Sequence, residues 1–370
     1  MIIENSIKLD VELPKGDITS KMPVFYNPMM ISNRNISILL LNARAVKTIK
    51  IADPLAGSGI RSLRFCKELE KGILGDLYVN DMKQTFIKDF ENSLKLNSLS
   101  SNKIHLSCEE ASLFLLHSDG FDYIDIDPFG TPNPFLAAAV GRISRGGILA
   151  LTATDTAALT GTYPKVTPRK YWAKPLKNYM MHEIGLRIII RRVQLQGVQF
   201  DKALIPVLGY HKDHYFRVYF ESQKGKERCD AILLQHQYFL WCKKCLRSMV
   251  SEYNKELCEC GAHFEYAGPL WTGSLFESSL VKKMVGRNSF TEEQRFLDSL
   301  YEESKMDIVG FYDLHECSRL LKINPPRIED ILTKAKGVRS HCNSHGIKTK
   351  MKRDEFFELI AKTTEKFKKM

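Results

Sequence analysis

Three observations predict an α/β fold built on a doubly wound parallel sheet. Short apolar strands alternate with helical segments over the first 220 residues. The first strand runs into a glycine-bearing loop that opens a helix. The series closes with two alternating runs joined by five residues, YHKDH, which read as an antiparallel hairpin.

Taken in order, residues 47–52 read as the first strand and 77–80 as the second. Ile104–Ser107, Phe121–Ile126 and residues 147–154 follow, and 203–209 with 215–221 form the hairpin. Residues 235–268 form a Cys-rich insertion. Beyond Pro269 the pattern turns helical, over 292–305, Leu314–Leu321, 327–336 and 354–368. Three helices with a small strand pair predict a winged-helix-like module. The expected division is therefore 1–268 and 269–370.

The loop after the first strand reads ADPLAGSGIRSLRF, Ala52 to Phe65. Gly57 and Gly59 let the backbone turn tightly and approach a ligand. Asp81, at the end of the second strand, can take two ribose hydroxyls. A dinucleotide prefers a third glycine, which is missing here. Asp53 before the loop suits a cationic ligand, and Arg61 can take a carboxylate. The third strand ends in Cys108-Glu109-Glu110-Ala111, where a side-chain carboxylate can accept from an adenine amino group. The pocket thus favours S-adenosylmethionine, and five parallel strands closed by a hairpin match a Rossmann-like class I methyltransferase sheet.

The fourth strand ends in Asp127-Pro128-Phe129-Gly130. Exocyclic amines of nucleobases are poor nucleophiles because the lone pair is delocalised into the ring. A carboxylate that accepts an amine hydrogen localises the lone pair and can take the proton as the bond forms. Asp127 is the candidate base, the Pro128 carbonyl a second acceptor and Phe129 a stacking face. A base inside a folded RNA must be swung out to reach them. Attack on carbon 5 of a pyrimidine needs a cysteine at this edge, and the flanking cysteines, Cys108 and Cys229, are remote in sequence.

The formal charge of +11 favours a polyanionic partner. Residues 161–192 carry eight Lys/Arg against one acid, Glu183, interleaved with Tyr163, Tyr171, Trp172 and Tyr179. Residues 336–353 carry six Lys/Arg and no acid. Both runs read as phosphate-contacting, and His341 and His345 as part of a basic RNA-facing loop. Cys242-x-x-Cys245 and Cys258-x-Cys260 have the spacing of a four-thiolate zinc site with no open position, hence a structural one. No apolar run approaches 18 residues, and no signal segment precedes the fold, so the expected location is the cytoplasm.

Seven segments in order carry a resemblance: PVFYNPMMISNRNIS (23–37), the ADPLAGSGIRSLRF loop, VNDM (79–82), DIDPFGTP (125–132), LALTATDTAAL (149–159), YHKDHYFR (210–217) and HGIKT (345–349). With them the chain resembles the tRNA (guanine-26-N2)-dimethyltransferase family in its archaeal form. The resemblance implies transfer of one and then a second methyl from S-adenosylmethionine to N2 of a guanine in tRNA. It implies cofactor contacts at Arg34, Arg61, Asp81, Glu110 and Ala111, the catalytic carboxylate at Asp127, and base-holding rings at Phe25 and Phe129. It makes 269–370 the tRNA-binding domain, with no protein partner and no membrane. Where that family usually has Asp-Asp-Ala, this chain has Glu109-Glu110-Ala111, which leaves open which glutamate reaches the adenine. The competing readings are methylation of another exocyclic base amine in RNA, and a non-catalytic zinc-containing RNA-binding protein.

Overall fold

The computed structural model describes residues 1–11, 26–44 and 48–368, with side chains up to Thr364. A short hairpin, β1 (Ile2–Glu4) and β2 (Ile7–Leu9), precedes a 3-10 turn and the helix Ile31–Arg44. The parallel strands are β3 (Ile49–Asp53), β4 (Leu74–Asn80), β5 (Ile104–Ser107), β6 (Phe121–Ile126) and β7 (Ile143–Ala153). The hairpin β8 (Lys202–Lys212) and β9 (Tyr215–Lys224) completes a seven-stranded sheet of order β5-β4-β3-β6-β7-β9-β8. Among these strands β9 runs antiparallel to both its neighbours, β7 and β8, and the other pairs are parallel. The expected topology is therefore present.

Three strands start earlier than the sequence suggested, β8 by one residue at Lys202. β7 begins at Ile143 because Gly146 and Gly147 lie in a bulge opposite Phe121–Tyr123 rather than in a turn; Gly146 has φ +75°. β4 begins at Leu74, and Lys47, the expected start of β3, lies outside the described residues.

Alternation along the strands divides the core into two faces. Tyr123 and Ala150 pack with Ile36, Leu39, Leu63 and Phe90 on one face. Ile124, Ile126 and Leu149 pack on the other with Leu136, Ile184, Ile188 and Ile189. The helix Met181–Val198 supplies three of those residues and packs on β8.

The insertion is a three-stranded antiparallel sheet, β11-β10-β12, made of β10 (His236–Trp241), β11 (Ser248–Ser251) and β12 (Glu265–Trp271). The helices Ser278–Gly286 and Gln294–Ser304 lay Leu280, Met284, Leu297 and Leu300 against the first face of the sheet. Then come β13 (Tyr312–Asp313), the helices Leu314–Leu321 and Ile328–Lys334, β14 (Val338–Arg339), β15 (Gly346–Lys348) and the helix Arg353–Lys368. Helices packed on a small antiparallel sheet form the winged-helix-like arrangement, with three strands instead of the expected two. Phe311, Leu314, Ile347 and Phe356 join the second face without a break.

Candidate active site

Parallel strands bring their carboxyl ends to one edge, and the loops there assemble the site. After Asp53, Gly57 has φ +57° and Gly59 φ +73°. Gly59 is required twice over: a Cβ there would lie 2.2 Å from the Phe90 ring. Asp81 fixes the loop by accepting from the Gly57 N–H at 2.9 Å, while its other oxygen accepts from the Lys83 N–H at 3.0 Å. Asn80 donates to the Pro54 and Glu109 carbonyls, each at 3.0 Å, and so ties the loops after β3 and β5 together.

The loop after β3, the segment 26–34, the β6 turn and the β8–β9 hairpin tip enclose a cleft of about 290 Å³ whose lining includes Tyr26, Arg34, Asp53, Arg61, Asp127 and Phe129; Asp81, Glu110 and Ala111 do not line it. The β6 turn is clamped on β7. The Gly130 N–H donates to Thr154 Oγ1 at 2.7 Å, and the Thr154 N–H donates back to the Gly130 carbonyl at 2.9 Å. Pro128 is buried beneath this turn, whereas Phe129 remains 51% exposed at the cleft wall. Hydrophobic cost does not keep an aromatic ring at such a position; the restrained turn does.

A buried charge network supports Asp127. The Arg61 guanidinium pairs with Asp127 Oδ2 and with Asp125 at 3.3 Å. It also donates to Ser37 Oγ at 3.0 Å and Asn33 Oδ1 at 2.9 Å. Arg217 grips Asp125 with two hydrogen bonds of 2.8 and 2.7 Å, and the Tyr123 hydroxyl adds a third at 2.6 Å. Burial opposes the Asp125 charge, but Arg217 and Arg61 outweigh it and hold the carboxyl below its usual range. Asp53 behaves oppositely. Burial pushes it up to about 7, Arg61 pulls it down, and Asp125 and Asp127 add repulsion. Two guanidiniums thus face two carboxylates and one carboxyl that titrates near neutrality.

The other expected site residues fall around this centre. Arg34 reaches the cleft, but its guanidinium makes a bidentate pair with Glu4 at 2.7 and 2.6 Å. Glu110 caps the helix Ala111–Leu116, accepting from the Ser112 and Leu113 N–H groups at 2.8 and 3.0 Å. Glu109 lies 2.9 Å from His117 Nδ1, and Ala111 is buried at the first helical position. Phe25 lies outside the described residues.

Sequence reasoning missed Tyr26, Asn33, Ser37, Asp125 and Arg217. A signal existed for Asp125, a charged residue between Ile124 and Ile126 in an otherwise apolar strand.

The basic runs need correction. Arg187, Arg192 and Lys348 are buried, and so is the side chain of His341, which bonds Glu303 at 2.7 Å instead of facing RNA. His345 is stacked on His315 at 3.9 Å. Lys165, Arg169, Lys174 and Lys177 remain exposed.

The Cys242, Cys245, Cys258 and Cys260 sulfurs all lie within 4.8 Å of one another, with closest pairs of 3.5 and 3.6 Å. Tetrahedral zinc with bonds of about 2.3 Å sets its sulfurs roughly 3.8 Å apart, so the four thiols fit that ion. None of them lines the cleft, which makes the site structural. The Cys245 carbonyl accepts from Arg353 Nε at 2.9 Å, docking this knuckle on the last helix.

The family described as N2,N2-dimethylguanosine tRNA methyltransferase matches residues 4–361. A relative from Aquifex aeolicus named tRNA (guanine(26)-N(2)/guanine(27)-N(2))-dimethyltransferase is 39% identical over 96% of this chain and 93% of its own length. The tRNA (guanine(26)-N(2))-dimethyltransferase of Methanobrevibacter smithii is 36% identical over 95% of this chain and 94% of its own. The structure of Trm1 from Pyrococcus horikoshii with S-adenosyl-L-methionine superposes with a TM-score of 0.85 at 30% identity, covering 97% of this chain and 99% of that one. The resemblance carried by the seven segments is thereby borne out, and the chain belongs to the N2,N2-dimethylguanosine tRNA methyltransferase family.

Proposed function

We propose that this protein methylates the exocyclic N2 of guanine 26 in tRNA, twice, using S-adenosylmethionine. The observation that carries the reading is the Asp127 carboxylate, set in the cleft beside a half-exposed Phe129 and across from the Gly57–Gly59 loop, in a chain of this family.

The cofactor supplies an electrophilic methyl group on a sulfonium sulfur. Asp53 is suited to its ammonium group, Arg61 and Arg34 to its carboxylate, and Gly57 and Gly59 to close backbone approach. Asp81 is assigned to the ribose, and Glu110 and Ala111 to the adenine. On the substrate side, Phe129 and Phe25 hold the flipped guanine, and the Pro128 carbonyl is a second acceptor for its amine. Arg61 occupies Asp127 Oδ2, which leaves Oδ1 to accept the amine hydrogen and take the proton as the new bond forms. An amine methylated once still has one hydrogen, so the same oxygen serves both transfers.

We assign 1–268 to catalysis and 269–370 to holding the tRNA, and place the protein in the cytoplasm. No helix among the described residues is long and apolar enough to cross a membrane. Modification of guanine 27 as well is a second reading, favoured by the name of the Aquifex aeolicus relative.

The test is nucleoside analysis of unmodified tRNA transcripts after incubation with protein and labelled S-adenosylmethionine. N2-methylguanosine followed by N2,N2-dimethylguanosine at position 26 is expected. Label on an adenine, or on no nucleotide, would overturn the reading.

A further inference from the structure

One aromatic residue of the basic stretch stands apart. Trp172 closes the helix Val166–Tyr171 in a left-handed conformation, φ 54° and ψ 37°, and is 50% exposed. A bulky side chain rarely takes that conformation, and backbone strain of this kind concentrates at ligand clamps. Its surroundings hold it there. The Trp172 N–H donates to the Pro168 carbonyl, and its own carbonyl accepts from Arg191 Nη1, both at 3.1 Å. The Arg192 guanidinium lies 4.2 Å from the ring centroid.

Arg192 is only 8% exposed, yet its Nε and Nη1 have no hydrogen-bond partner among the described residues. Neither Arg191 nor Arg192 forms an ion pair with a carboxylate among the described residues. Exposed Lys165, Arg169 and Lys174, with Tyr163 61% exposed, share the segment. An ordinary surface Arg–Trp pair accounts for the cation over the ring. It does not account for the strained backbone or for two adjoining arginines that pair with no carboxylate among the described residues.

This platform is fastened to the cleft. Asn133 Nδ2 donates to the Lys170 carbonyl at 2.7 Å, and the Tyr171 hydroxyl bonds Thr131 at 3.0 Å and Asp155 at 2.5 Å. Thr131 follows Phe129 by two residues, and Asp155 follows Thr154 of the cleft wall.

We propose that Trp172 is a stacking platform for an unpaired nucleotide of the substrate RNA, beside the guanine held at Phe129, with the adjoining phosphates on Lys165, Arg169 and Lys174. This rests on the reading of the protein as a tRNA methyltransferase. A π-face backed by a cation and flanked by basic side chains suits a single-stranded nucleotide of any sequence.

Fluorescence tests it, because the other two tryptophans are buried: Trp241 is 6% and Trp271 4% exposed. Unmodified tRNA should quench the intrinsic emission of the wild type, and Trp172→Phe should abolish the quench while keeping tight binding. Trp172→Ala should raise the KM for tRNA roughly tenfold, the effect of one lost stack, with kcat and cofactor affinity unchanged. An undiminished quench in Trp172→Phe, or an unchanged KM in Trp172→Ala, overturns the proposal. Quenching at Trp172 without methyl transfer by the wild type would uphold the platform and reject the enzymatic reading.

Discussion

Two buried charge networks serve this molecule differently. At the carboxyl edge of the large sheet, Arg61 and Arg217 bind Asp125, and Arg61 reaches on to Asp127. At the junction with the C-terminal helices, Glu183 accepts from Arg187 at 2.9 Å, Lys348 at 2.8 Å and the Gly310 N–H at 2.9 Å. There Glu303 pairs with His341, and Lys348 lies 3.6 Å from it. Side chains of the second network are at most 2% exposed. In the first, Asp127 is 19% exposed and borders the cleft. Burial of charge therefore does not by itself mark a functional site. What separates the two networks is that one end of the first opens on a cavity.

The largest effect should come from the open end. Asp127→Ala should slow methyl transfer by about 10²- to 10⁴-fold while S-adenosylmethionine binding, followed by calorimetry, stays near wild type. Equal losses in both would reduce Asp127 to a scaffold residue and erase the contrast.

Next comes the sealed network. Lys348→Met strips Glu183 and Glu303 of a shared cation, and should cost about 3–5 kcal/mol in denaturant unfolding. Burial works against the Glu183 charge, yet Lys348 and Arg187 hold its carboxyl at about 2. A folded-state value below the ordinary 4.5 adds stability that is complete above about 4.5 and disappears as pH falls towards 2. Acid titration of the wild type should show that loss, and Glu183→Gln should lack it. Lys348→Met should leave the salt dependence of tRNA binding untouched, since the residue is buried.

A smaller effect separates the two networks by pH. Burial pushes the Asp53 carboxyl up to about 7, inside the network at the cleft. If Asp53 holds the cofactor's ammonium as proposed, the deprotonated form is the one that binds, so affinity should fall by up to tenfold per unit as pH drops below 7 and level off above it. Asp53→Asn should flatten that profile. A wild-type profile already flat from pH 6 to 8 would remove Asp53 from the cofactor's ammonium.

The smallest effect is expected at the zinc knuckle. Chelation should release one zinc per chain and lower the Tm by a few degrees, with cofactor affinity preserved, because no cysteine ligand lines the cleft. Loss of cofactor binding on chelation would tie the knuckle to the site.

Legibility in the sequence followed the range of the interaction. The glycine loop, the Asp127-Pro128-Phe129 turn and the cysteine spacing are local, and each was readable. The partners of Asp125 were not, because Arg217 lies 92 residues away and meets it only through the β7–β9 register. Lys348 and Arg187 looked like surface cations because their runs are basic. Arg187 pairs with Glu183 one turn earlier on its own helix, whereas Lys348 finds its acids on distant elements, Glu183 on the helix Met181–Val198 and Glu303 on the helix Gln294–Ser304. Phosphate-binding and core-binding lysines look alike until the fold closes.

The most direct test is a crystal structure of the protein with S-adenosylhomocysteine and a guanine-bearing RNA. The account predicts an Asp127 oxygen about 2.6–3.2 Å from guanine N2. A carboxylate turned wholly to Arg61, with the amine held by other groups, would contradict it.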